Sequence, residues 1–157
     1  MTIDAIDELI AHRRQTGSLS PMLRRVHRFH RANPQVLDFL VSEIGAEKAS
    51  GWAHGSLGSL WHHARWVLTR LDRAPGESFT MSNNLFPMYG RIIILLHPDI
   101  NGFFSMKECQ ADRDLGTRVD GERLVWGDGT AIENGWPPTT PHEPQPVRRR
   151  ERVTRAA

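Results

Sequence analysis

Apolar positions along the chain recur at helical spacing almost throughout its first two thirds. Ile3, Ile6, Leu9 and Ile10 lie one helical turn apart behind Thr2, with acids in the first turn where the helix dipole favours them, so a short helix is predicted to end before Gly17. Ser20 followed by Pro21 reads as an N-cap with proline at the first helical position. Met22, Val26 and Phe29 then share the inward face of a helix running to about Ala32. Asn33-Pro34 repeats that start signal, and Val36, Leu37, Leu40, Val41 and Ile44 form a broad apolar stripe that fades through Glu47 and Lys48 to Gly51. After a turn rich in Gly and Ser, Leu60, Ala64, Val67, Leu68 and Leu71 predict a helix over about 59–72, which makes helix, turn, helix the order here.

Ala74-Pro75-Gly76 breaks the chain, and residues 78–81 suit a short extended piece. Asn83 or Asn84 can cap a helix through Leu96 that is apolar almost all round and is therefore predicted to be buried. Pro98-Asp99 can open one more turn, with Phe103 and Phe104 packing back onto the core. Leu124-Val125-Trp126 and Thr130-Ala131-Ile132 flank Gly127-Asp128-Gly129, a hairpin signal. The expected architecture is an all-α helical domain of about five helices over 3–112 with a helix-turn-helix-like unit, a linker with a short hairpin over 113–136, and a disordered tail over 137–157. Five prolines and five arginines in that tail leave it too little apolar surface to offset its ordering entropy.

Composition sharpens this picture in two ways. The formal net charge is only +2, yet 18 of the 20 basic residues are Arg, which suits either phosphate recognition or simply a GC-rich coding sequence. The single thiol, Cys109, excludes an intramolecular disulfide framework, and the opening residues are acidic where a signal peptide would be basic, so a cytoplasmic protein is expected. The run Ile92-Ile93-Ile94-Leu95-Leu96 is far short of the roughly 20 apolar residues that span a bilayer.

The strongest charge signal lies between Ala11 and Ala32, which holds six Arg and three His and no acid. Arg24, Arg28 and Arg31 fall opposite the apolar face of their helix and would present a row of phosphate donors. The alternative is a solvated face, or one paired with Asp4, Asp7 and Glu8. On the 59–72 helix, His62, Trp66 and Arg73 with Thr69 are expected outward, flanked by Arg65 and Arg70, where a groove-reading helix would carry them. A Trp on a polar face either stacks on a partner or is covered, and the 85–96 helix is the expected cover. Arg91, the one charge on that apolar helix, requires a partner if buried, with Asn83, Asn84 and Tyr89 as a candidate polar constellation. The eight His show no metal-ligand spacing, and no nucleophile or phosphate-loop motif assigns a catalytic residue, a cofactor or a metal.

Several stretches together resemble a family of small proteins encoded by phages and prophages: Phe29-His30-Arg31-Ala32-Asn33-Pro34-Gln35-Val36, Leu60-Trp61-His62-His63-Ala64-Arg65-Trp66, Phe79-Thr80-Met81-Ser82-Asn83-Asn84, Tyr89-Gly90-Arg91, and Pro98 with Phe103-Phe104. The resemblance covers roughly residues 29–108 and implies a phage or prophage source without supplying an activity. Two functional expectations follow from all of this. The first is a helix-turn-helix protein that binds double-stranded DNA. The second is a phage accessory protein that binds a host or phage protein through exposed aromatics.

Overall fold

The computed structural model describes residues 5–17, 19–71 and 80–133, so the expected tail at 137–157, Arg73 and the 78–79 end of the extended piece lie outside the described residues. Among the described residues, six α-helices precede or accompany one hairpin. In chain order they are α1 (Ala5–Thr16), α2 (Pro21–Ala32), α3 (Gln35–Ala49), α4 (Leu57–Leu71), α5 (Phe86–Leu96), a 3-10 turn (Pro98–Ile100), α6 (Gln110–Leu115), β1 (Thr117–Asp120) and β2 (Arg123–Trp126).

Local chemistry explains most of the boundaries. The Ser20 hydroxyl accepts from the Leu23 amide at 3.0 Å, and Pro21 follows it, as a helix start requires. Asn33 acts differently from its sequence signal. It closes α2, its backbone and side-chain amides both donating to the Phe29 carbonyl, and α3 begins behind Pro34 without a side-chain cap. The helix-closing geometry wins because the Asn33 side chain reaches back four residues rather than forward. Neither Asn83 nor Asn84 caps α5, whose N-cap is Leu85 with no side-chain bond.

Helix α5 is the axis of the core. Every residue from Met88 to Leu95 is buried, and α2, α3, α4, α6 and the 3-10 turn all pack against it. Close approach is set by two glycines. The Gly55 amide donates to the Phe103 carbonyl at 2.9 Å, and a Cβ there would overlap the Phe103 ring; a Cβ on Gly90 would overlap the Leu57 side chain, so α4 meets α5 where only hydrogen fits.

The hairpin differs from expectation in pairing and in role. Strand β2 pairs antiparallel with β1, Thr117 opposite Trp126 and Asp120 opposite Arg123, around a two-residue turn whose Gly121 has φ 62°. The anticipated turn is present but short: the Trp126 amide donates to the Thr130 carbonyl at 2.9 Å, the Gly129 amide to the Trp126 carbonyl at 2.8 Å, and Val125 bridges Ala131, with Gly129 at φ 88°. Nor does the expected boundary at 112 separate a linker from the domain, since it falls inside α6. Leu124, Trp126 and Ile132 are buried in the main core. Asn101 supplies the missing edge by bonding both the carbonyl and the amide of Leu124 at 2.8 Å, as a neighbouring strand would. The four-residue strands and six-residue α6 are too short for periodicity to reveal.

Candidate nucleic-acid interface

On α2 the buried side is Leu23, Val26 and His30, with Met22 and Phe29 half-buried, so the inward face lies close to where the sequence placed it. Arg24, Arg25, Arg28 and Arg31 are consequently exposed. One expected acid does reach this helix, but it engages a histidine: His27 Nε2 lies 2.6 Å from an Asp7 carboxylate oxygen, tying α2 to α1. Among the described residues no acid forms an ion pair with Arg24, Arg25, Arg28 or Arg31. Asp4 lies outside the described residues. Arg13 on α1 is half-buried, and burial pushes its guanidinium below its usual pKa against the opposing pull of Asp114.

Helix α4 carries no acid either. Its buried side is Leu57, Leu60, Trp61, Ala64 and Leu68, rotated from the expected one: Val67 is only half-buried, and Leu71 is 75% exposed. The reason is Trp61. Fully buried, it packs between Tyr89 at 5.2 Å, Phe29 at 6.3 Å and Phe86 at 6.3 Å between ring centroids, and this aromatic cluster fixes the roll of the helix. The outward row is therefore Ser59, His62, His63, Trp66 and Arg70, all exposed. Trp66 is not covered by α5. It stands 58% exposed, with the Arg70 guanidinium 4.1 Å over its ring.

Arg65 is engaged internally. Its guanidinium donates to the Met81 carbonyl at 2.5 Å and to the Asn83 side-chain carbonyl, so it pins the segment entering α5 instead of facing a ligand. This also separates the anticipated constellation. Asn83 belongs to Arg65, the Asn84 backbone N–H donates to the Ser82 hydroxyl, Tyr89 sits in the aromatic cluster, and Arg91 finds a different partner.

That partner is Asp112. Arg91 Nε and Nη2 donate to the two Asp112 carboxylate oxygens at 3.0 and 2.9 Å, with both side chains almost wholly buried. Nη2 also reaches the Lys107 carbonyl at 2.7 Å. The carboxylate accepts in addition from the Cys109 amide and the Thr117 hydroxyl, both at 2.9 Å. Burial of Arg91 is as expected, whereas the sequence pattern does not single out Asp112 as its partner. Its signal is an acid three residues into a helix, reaching back to the N-cap amide, disguised because Cys109 stands where Ser or Thr would advertise the cap. This network holds α5, α6 and the hairpin together and is structural.

A second exposed indole, Trp52 at 67%, stands in the Gly- and Ser-rich turn between α3 and α4, where no periodic pattern marks it. Among the described residues no three His, Cys, Asp or Glu side chains converge as a metal site, and no helix is long and apolar enough to cross a membrane. No family model, curated protein or solved structure matches the chain.

Proposed function

We propose that the protein binds DNA, with the α3–α4 pair used as a helix-turn-helix unit and α2 gripping the phosphate backbone through Arg24, Arg28 and Arg31. The observation that carries this reading is the row of exposed arginines on α2 that no acid pairs with among the described residues, in a chain whose overall charge is only +2. Charge so concentrated suits a polyanion, and guanidinium groups suit phosphate in particular. Helix α4 adds an acid-free outer face on which His62 and Arg70 can meet base edges and backbone. The connecting residues 50–56 make a longer turn than the three or four residues usual in that motif. Arg65 drops out of the binding set, because its Nη2 donates to the Met81 carbonyl and the Asn83 side chain while Nη1 lies 3.3 Å from His62 Nδ1. A phage or prophage source rests on the sequence resemblance.

Arg24→Ala and Arg28→Ala should each weaken binding to all duplex sequences alike and lower the slope of log affinity against log salt by about one unit. His62→Ala should alter sequence preference with little change in slope. Fluorescence anisotropy across a salt series reads both. If the arginine variants leave affinity and slope unchanged, the proposal is wrong.

One observation favours a second reading, in which the partner is a protein. Trp52 and Trp66 are large apolar side chains left 67% and 58% exposed, and indoles anchor protein interfaces. Binding of that kind would depend little on salt, which is what separates the two.

A further inference from the structure

The Trp66 side chain is difficult to reconcile with groove reading alone. A duplex groove presents base edges, to be matched by hydrogen-bonding groups, whereas an indole offers one N–H and two flat faces. Its strong interaction with nucleic acid is stacking on the face of a base, and base faces are hidden inside a paired duplex. In this structure one face of the Trp66 ring is already occupied by Arg70, whose guanidinium lies 4.1 Å from the ring centroid and also donates to the Trp66 carbonyl at 3.3 Å. No other described ring stacks on Trp66, and the side chain is 58% exposed. The indole is thus held from behind by a cation, with its remaining surface turned to solvent and a positive charge beside it.

Resting on the DNA-binding reading, we infer that the Trp66–Arg70 pair takes an unpaired nucleobase, so that the preferred ligand is DNA carrying a locally single-stranded or bulged position. The base stacks on the exposed indole, and the adjoining phosphate is drawn to Arg70. Charge complementarity selects nucleic acid over a protein strand as the occupant. Neither α4 nor α2 contributes an acid, and His62 and His63 flank the indole on the same outer row. Among the described residues, the acid that forms an ion pair with that row is Glu43 of α3, which lies 4.0 Å from His63 Nε2. Helix α2 supplies the duplex grip through its arginines, and α4 supplies the platform for the displaced base.

The test compares a fully matched duplex with the same duplex carrying a short run of unpaired thymines, both titrated into the full chain. Wild-type protein should bind the bulged duplex about tenfold more tightly, the equivalent of roughly one stacked base. Trp66→Ala should abolish that preference while leaving the thermal melt nearly unchanged, and Trp66→Phe should restore most of it. Equal affinity of the wild type for the two duplexes, or a preference that survives Trp66→Ala, overturns the inference and leaves the DNA-binding reading standing. Failure of the wild type to bind either duplex overturns both.

Discussion

Removal of residues 117–157 should abolish cooperative folding of the helical domain. The excised hairpin carries Leu124, Trp126 and Ile132 into the core, each worth about 1.5–3 kcal/mol when fully buried. It also takes away the Thr117 hydroxyl from Asp112 and both backbone bonds that Asn101 makes to Leu124, leaving buried polar groups unsatisfied. The combined loss is of the order of the whole stability of an ordinary domain. A chain ending after Glu133 retains all of these contacts and should still unfold cooperatively. Circular dichroism melts of the two truncations check this directly, and a stable, cooperative 1–116 fragment would contradict the packing described above.

The second large effect is at the buried ion pair. Arg91→Ala leaves the Asp112 carboxylate charged and buried, and Asp112→Asn leaves the guanidinium without its bidentate partner; each should cost about 3 kcal/mol or more. Exchange of both residues for apolar ones, often neutral for an isolated pair, should not rescue stability here. The Cys109 amide and the Thr117 hydroxyl would lose the acceptor they share. Urea unfolding of the single and double variants measures the effect, and a change below about 1 kcal/mol for Arg91→Ala would show that the network contributes little.

How much of this was legible in the chain depends on whether the decisive interaction is local. The start of α2 was, because Ser20 and Pro21 act on the three residues that follow them. The burial of α5 and of Arg91 was, because eleven nearly all-apolar residues leave a lone cation no exposed side to occupy. The roll of α4 was not. Leu57, Leu60, Trp61, Ala64, Trp66, Val67, Leu68 and Leu71 surround that helix on most sides, and only Phe29, Phe86 and Tyr89, brought from α2 and α5, decide that Trp61 goes in and Trp66 stays out. The same holds for Asp112, whose role appears only when α5 and α6 are side by side. Asn33 shows the limit of local signals: the same residue can open a helix or close one, and its bond to Phe29 settles which.

The candidate interface divides along the same line. The arginine row of α2 was readable, since it needed only the helical period and the apolar face opposite. On α4, the withdrawal of Arg65 into the fold and the emergence of the Trp66–Arg70 stack both depend on tertiary contacts or on the roll of the helix.

The most direct test of the DNA-binding reading is the affinity of the wild-type chain for a short random-sequence duplex between about 50 and about 200 mM salt. Phosphate contacts by Arg24, Arg28 and Arg31 predict log affinity falling linearly with log salt at a slope of about −3 or steeper. A flat dependence, or no binding at the lower salt, contradicts the account and turns the exposed indoles Trp52 and Trp66 toward a protein partner.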